Sequence, residues 1–285
     1  MLTKTQIVAL SKEHDFYLRK SLGQNFLIDR NLRDKIVRLL ELKREEAVLE
    51  IGPGLGALTE PLAESSGRVW AVEKDRKLYG LVSSLLSRYE NLTVAQGDIL
   101  DFDIGALPGG KIKVVGALPF YITTPILEKL FENRQRIEEI YIIIQKEVAL
   151  RLAAGPGEDD YSSLSLFAQF YCDIKKLLDI RRKAFFPEPK VDSALLRLRV
   201  LSRPSVTVRD EAALFRTIRR AFSQRRKTIL SSLSGKGAMG VSKDRMRGML
   251  EVLGVDPKSR AETLALGDFA RISEAIAEVD RGIDI

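Results

Sequence analysis

The chain has 285 residues, 45% of them apolar and 30% charged, with Lys and Arg outnumbering Asp and Glu by 46 to 39. That length supports a full hydrophobic core in one large domain, or in one large and one small, and no apolar stretch is long enough to span a bilayer. One cysteine, Cys172, and one histidine, His14, exclude intrachain disulfides, thiolate metal clusters and a histidine-based triad or zinc site.

The charge is unevenly spread. Residues 181–285 carry 22 Lys and Arg against 13 Asp and Glu, a net of +9, while residues 1–180 carry 24 against 26. A basic C-terminal third suggests contact with a polyanion, the alternative being an ordinary solvated surface. The N-terminus has many charges and lacks the apolar centre of a secretory signal, so the cytoplasm is the expected compartment.

In chain order, residues 1–30 are polar and basic. Leu32, Ile36, Leu39 and Leu40 then recur at helical spacing and predict a helix over 31–42. Short apolar runs at 47–51, 69–72, 92–95, 113–115 and 140–144 read as strands, with helices around 58–64, 78–87 and 125–132. Two-sided apolar strands joined by helices predict a parallel sheet covered on both faces, an α/β fold. A helix over 145–153 leads into a polar loop at 155–160. Strand candidates follow at 165–172, with a helix as the alternative, and at 193–200, connected by 175–183 and a proline-rich turn at 186–190. Arg203-Pro204 reads as a hinge. Beyond it only helical patterns occur, over 211–222, 226–233, 243–253, 261–264 and 267–277. The expected organisation is a Rossmann-like domain over 1–204 and a small helical domain over 205–285.

Glu50-Ile51-Gly52-Pro53-Gly54-Leu55-Gly56 follows a strand and opens a helix, and its glycines let backbone pass close to a ligand. Glu73 ends the next strand, where an acidic residue hydrogen-bonds ribose hydroxyls. Asp98 ends the third, where a carboxylate accepts from an adenine amine. Taken singly, Glu73 pairs as well with Lys74 or Arg76, and Asp98 serves as well as a helix cap. Together they describe a nucleoside pocket. The third glycine comes one residue too early for a dinucleotide loop, and Glu50 would repel a pyrophosphate. A cofactor bearing an amine and a sulfonium, S-adenosyl-L-methionine, suits the loop better than NAD.

The apolar run at 114–117 stops at Leu118-Pro119-Phe120, in which a rigid carbonyl beside an aromatic face can hold a flat base. The position before Leu118 is where such a site wants an amide, and it is Ala117. In the basic third, Arg216, Arg219 or Arg220, and Arg226 or Lys227 fall at spacings that can share a broad face toward phosphates, beside Arg225. Lys175, Lys176, Arg181, Arg182 and Lys183 form a second basic run. Phe167, Phe170, Phe185 and Phe186 read as core.

These segments resemble the ribosomal-RNA adenine N6,N6-dimethyltransferases of the KsgA type. The resemblance runs from about Lys20 to Leu233. It is carried by Leu22-Gly23-Gln24-Asn25-Phe26-Leu27, the Gly52–Gly56 loop, Glu73, Gly97-Asp98, Leu118-Pro119-Phe120 and Gln145-Lys146-Glu147-Val148-Ala149. Phe186-Pro187-Glu188-Pro189-Lys190-Val191-Asp192-Ser193-Ala194 and Phe222-Ser223-Gln224-Arg225-Arg226-Lys227-Thr228 complete it. The last favours the small-subunit enzymes over the antibiotic-resistance relatives. The resemblance implies an S-adenosyl-L-methionine-dependent methyltransferase that dimethylates two adjacent adenosines near the 3′ end of small-subunit rRNA. Its partner would be the immature 30S-type subunit, with no metal, no membrane and a monomeric chain. Gln24, Asn25 and Leu27 would close over the cofactor, with Gly52, Gly54, Glu73, Lys74 and Asp98 around it. Residue 117 would touch cofactor and target, Phe120 would stack on the flipped adenine, and the Pro119 carbonyl would accept from its amine. Arg219, Arg220, Arg225, Arg226 and Lys227 would bind the RNA. Family members carry Asn-Leu-Pro-Tyr or Asn-Leu-Pro-Phe, so Ala117 departs. An engineered substitution, a natural pseudo-enzyme and a nearby substitute group such as Tyr121 all remain open. The competing function is a non-catalytic RNA-binding factor in small-subunit assembly.

Overall fold

The computed structural model describes residues 1–16, 24–119, 122–224, 226–234 and 240–280. Ser21, Leu22, Gly23, Phe120, Tyr121 and Arg225, all part of the motifs above, lie outside the described residues. The strands are β1 (Phe26–Leu27), β2 (Ala47–Ile51), β3 (Arg68–Glu73), β4 (Leu92–Gln96), β5 (Ile112–Ala117), β6 (Ile137–Gln145), β7 (Cys172–Ile180), β8 (Phe185–Phe186) and β9 (Ser193–Val200). The helices are α1 (Lys4–Glu13), α2 (Arg30–Leu39), α3 (Thr59–Ser65), α4 (Arg76–Leu85), α5 (Thr123–Glu132), α6 (Lys146–Ala153), α7 (Ser163–Tyr171), α8 (Glu211–Phe222), α9 (Ile229–Ser234), α10 (Lys243–Val252) and α11 (Leu266–Asp280).

Contacts divide the chain into two compact units, residues 1–149 with 174–200, and residues 150–173 with 201–285. The segment 150–173 thus packs with the C-terminal helices.

β2, β3, β5 and β6 are almost wholly buried, as strands covered on both faces must be. They lie in a seven-stranded sheet ordered β4-β3-β2-β5-β6-β9-β7. The pairs β3–β4, β2–β3, β2–β5 and β5–β6 are parallel. The five strands read as a parallel sheet are parallel, while β9, given no direction from the sequence, runs antiparallel to β6, from Gln145↔Ser193 to Glu139↔Arg199. From β2 the chain winds outward through β3 and β4, then crosses back to β5 on the other side of β2. That reversal opens a crevice at the carboxyl ends of the strands.

Two expectations change. Residues 163–171 form helix α7, the alternative read for this segment, rather than a strand: Ser162 N–H donates to Ser165 Oγ at 3.0 Å in a capping box, and Leu166, Ala168 and Phe170 are buried. The strand begins where that helix ends, at Cys172. β7 lies at the edge of the sheet and exposes Asp173, Lys175, Lys176 and Asp179. Charges of this kind blunt an edge against further pairing and hide the alternation that would reveal a strand. Helix α1 was not anticipated at all.

The helices that frame the crevice are capped by side chains. Asp29 Oδ1 accepts from Leu32 N–H at 3.0 Å to start α2, and Asp75 Oδ1 accepts from Lys77 and Leu78 N–H at 2.9 and 3.1 Å to start α4. Ile36 and Leu40 pack with Val48, Leu62, Val69 and Val115 in the main core. In the second unit, Phe215 of α8 packs edge-on against Phe167 and Phe170, each at 5.2 Å between ring centroids.

Candidate active site

Sheet register brings the motifs together. Ile51 is level with Val72 of β3 and with Gly116 of β5, so Gly52 sits between Glu73 and Ala117 at the strand ends. Glu73 is level with Gln96 of β4, which places Gly97-Asp98 next in line. Gly52 N–H donates to the Val72 carbonyl and Gly97 N–H to the Glu73 carbonyl, both at 3.0 Å, so the turns leave the sheet from fixed points. The chain passes Gly52 at φ +68°, Gly54 at +56° and Gly56 at +80°, all left-handed.

The result is a cavity of about 460 Å³. Gln24, Asn25, Leu27, Gly52, Gly54, Glu73, Lys74, Asp98, Ala117 and Pro119 all line it. A smaller cavity of about 40 Å³ is lined by Leu118, Pro189 and Ser193 together with Asn25, Ala117, Ile143 and Phe185. Those last four residues also line the larger one. The two-stranded pairing of β1 with β8, Phe26↔Phe186 and Leu27↔Phe185, holds the Gln24–Leu27 segment over the strand ends. Phe185, read from sequence as core, is buried and also lines both cavities.

The charged groups divide by environment. Both oxygens of Glu73 accept backbone hydrogen bonds, Oε2 from Gly54 N–H at 3.0 Å and Oε1 from Asp75 N–H at 2.9 Å. One side chain thus ties the glycine loop, β3 and the cap of α4 together. Burial raises its carboxyl above the usual carboxylate range despite those bonds. Asp98 accepts from Lys74 Nζ at 2.6 Å and, through Oδ1, from Leu100 N–H at 3.1 Å. Burial opposes its charge, but the Lys74 and Leu100 bonds prevail and hold its carboxyl below the ordinary value. The Lys74 side chain is 68% exposed, so this pair stands at the mouth of the cavity.

Glu50, not among the residues expected to bind the cofactor, also lines the cavity. It is 2% exposed, and its Oε2 has no hydrogen-bond partner. Burial pushes its carboxyl up to about 8, an effect that the Glu73 charge reinforces. Leu2 and Ile7 were missed too. The available signal was the Thr3-x-x-Gln6 capping box that starts α1, with Gln6 N–H donating to Thr3 Oγ1 and Thr3 N–H to Gln6 Oε1.

At the end of β5, Leu118 N–H donates to the Ile143 carbonyl at 3.0 Å and keeps the chain in register. The Pro119 carbonyl already accepts from Ile122 N–H at 3.3 Å and from the Thr123 hydroxyl at 3.1 Å, which turns it toward the start of α5. Ala117 is exposed and offers only a methyl group.

The basic residues expected on RNA belong to the second unit and do not line the cavity. Arg219, Arg226 and Lys227 are exposed. Arg220 is half-buried and donates through Nε to the Ser232 carbonyl at 3.0 Å, tying α8 to α9. Arg216 pairs at the surface with Asp210 at 3.5 Å.

The sequence profile of the ribosomal RNA adenine dimethylase family matches residues 15–278. The chain belongs to that family. It is 42% identical over 284 residues to the ribosomal RNA small subunit methyltransferase A of Moorella thermoacetica, covering 96% of this chain and 98% of that one. It is likewise 42% identical to the protein of the same name in Shouchella clausii, covering 99% and 97%. Among solved structures, a dimethyladenosine transferase from Plasmodium falciparum superposes with a TM-score of 0.76 at 25% identity, over 90% of this chain and 98% of that one. The 23S rRNA methyltransferase ErmE superposes with a TM-score of 0.68 at 28% identity, over 89% and 100%. Members of the family use S-adenosylmethionine. The cavity fits that cofactor. The unpartnered Glu50 Oε2 suits a cationic group, and a methyl group built on Gly52 meets no described atom within 4 Å, so the loop leaves room for a ligand. Glu73 and Asp98 would hold its nucleoside, with Gln24, Asn25 and Leu27 over it. When bound, it supplies an electrophilic methyl group.

Proposed function

We propose that this chain dimethylates the exocyclic amines of two adjacent adenosines near the 3′ end of small-subunit rRNA, and that Ala117 makes it a slow catalyst. The observation that carries the reading is the convergence of Gly52, Glu73 and Asp98 with Ala117 and Pro119 on one cavity. The kinship with small-subunit methyltransferases supports the choice of RNA.

The lone pair of an adenine amine is delocalised into the ring and attacks poorly. Acceptors on its two N–H bonds favour a pyramidal nitrogen, and positioning with preorganised polarity supplies most of the rate, so no strong base or metal is needed. Because the Pro119 carbonyl is engaged by α5, we assign the backbone acceptor to the carbonyl of Leu118. Phe120 would stack on the extruded base. The second acceptor, an amide at residue 117 in the family, is missing, which by analogy with a lost oxyanion-hole donor costs roughly 10²–10³ in rate.

Arg219, Arg226 and Lys227, with Arg225, are the proposed phosphate contacts, Arg220 being used in part within the helical unit. The proposed setting is the immature small subunit in the cytoplasm. Action as a monomer is part of the same proposal.

The test is methyl incorporation into undermethylated small subunits by this chain and by Ala117→Asn. An asparagine variant faster by about 10²–10³ supports the reading. Ala117 also favours the second reading, a non-catalytic assembly factor, which wins if both proteins bind the subunit and neither methylates it.

A further inference from the structure

We propose that helix α1 is a working wall of the cofactor cavity and that its docking sets how long the cofactor stays bound. The inference rests on the cofactor site described above and extends it to residues that precede the Gln24–Leu27 segment.

Leu2 and Ile7 line the cavity, and Ile7 is 1% exposed although the rest of α1 faces solvent or is only half-covered. What buries Ile7 is not the main core. It packs with Phe16, Phe26, Leu55, Leu78 and Leu81 in a separate satellite cluster. That cluster is built from parts of the site itself. The Phe26 ring lies where it would be 3.1 Å from a methyl group on Gly54, Leu55 belongs to the glycine loop, and Leu78 opens α4 beside the Asp75 cap. Phe16 meets Phe26 edge-on at 6.5 Å.

At its far end the helix is held by a polar clasp. Asp15 turns the chain at φ +48°, and Lys77 of α4 donates to its carbonyl and pairs with its Oδ2 at 3.1 Å. At its start the segment is also held by Met1, which packs on the core around Ile36 and Leu40 and pairs through its ammonium with Glu60 at 3.2 Å, and by Lys4 over the Phe186 ring. The helix between these ends rests on a small satellite cluster, the kind of attachment that opens locally before the larger core does. Opening α1 removes an apolar wall from the cavity and frees Phe26 from the glycine loop. A cofactor seated against that wall in turn holds the helix down.

The experiment is stopped-flow displacement of S-adenosylhomocysteine from the full-length chain and from its Ile7→Asp and Lys77→Met variants. It is paired with hydrogen exchange of the α1 amides with and without that ligand. Ile7→Asp is expected to weaken binding about tenfold, mainly through faster dissociation, as for the loss of one aliphatic wall residue. Lys77→Met is expected to speed dissociation by a smaller factor that vanishes at high salt. The α1 amides are expected to gain protection when the ligand saturates. Unchanged dissociation in a folded Ile7→Asp variant overturns the proposal. So does α1 protection that ignores the ligand, a readout that stands even if Ile7→Asp fails to fold. A parent chain that binds no S-adenosylhomocysteine removes the cofactor site itself, a different failure.

Discussion

Glu50 is buried, its Oε2 is unpartnered, and it shares the cavity with a second buried carboxylate, Glu73. Its carboxyl rises from 4.5 to about 8, so in the cofactor-free chain it contributes stability below pH 4.5 that is lost as the pH climbs through 8. The melting temperature of the free chain is therefore expected to fall across that window, and the fall to shrink in Glu50→Gln, with the raised Glu73 carboxyl supplying the remainder. Binding a cationic cofactor favours the ionised carboxylate. Affinity for S-adenosylmethionine should then rise by up to about tenfold per pH unit below 8 and level off above it, with proton release on binding. Calorimetry in buffers of different ionisation enthalpy counts that proton, and Glu50→Gln should abolish it. The sequence indicated that a carboxylate at this position suits a cationic ligand. That it is fully buried and lacks a partner on one oxygen depends on β2 lying between β3 and β5, which no local signal states.

The glycine loop separates two roles that look alike in sequence. Gly52 and Gly56 both have positive φ, so alanine at either costs about 1–2 kcal/mol of backbone strain. A methyl group on Gly56 would also lie 2.9 Å from Leu86 and 3.3 Å from Val82, jamming the loop against the end of α4. Gly56→Ala should therefore lower the melting temperature clearly more than Gly52→Ala. Gly52→Ala, whose added methyl group meets only ligand space, should show the larger loss of S-adenosylhomocysteine affinity relative to its loss of stability. Differential scanning fluorimetry with and without the ligand separates the two. Elements with strong periodicity, α2, α8 and the buried strands, were legible in the sequence. β7 was not, because an edge strand carries charges where a central one carries valines. Neither was α1, whose apolar residues fill a satellite cluster rather than a continuous stripe.

For the whole molecule, the excess of positive charge in residues 181–285 predicts RNA affinity that falls steeply with salt. Replacing Arg226 or Lys227 by alanine should reduce the slope of log affinity against log salt by about one each, uniformly across sequences. Arg220→Ala should chiefly cost stability, since its Nε holds the Ser232 carbonyl. Filter binding to small-subunit RNA over a salt series checks both. Among the described residues no helix is long and apolar enough to cross a membrane.

The amino-acid sequence by itself singled out Gly52, Glu73 and Asp98, which line one cavity, because loop glycines and strand-terminal carboxylates are local features with fixed spacings. It also showed that Ala117 offers no side-chain acceptor, since an inability to accept a hydrogen bond needs no coordinates. Only the tertiary structure decided which acceptors remain: the Pro119 carbonyl is drawn to Ile122 and Thr123, and Glu50 keeps an oxygen with no partner. It alone joined Ile7 to Phe26 and Leu55, across sequence separations of 19 and 48 residues. Composition and spacing report on neighbours along the chain, whereas burial and hydrogen-bond partners are set by segments that meet only when the sheet has closed.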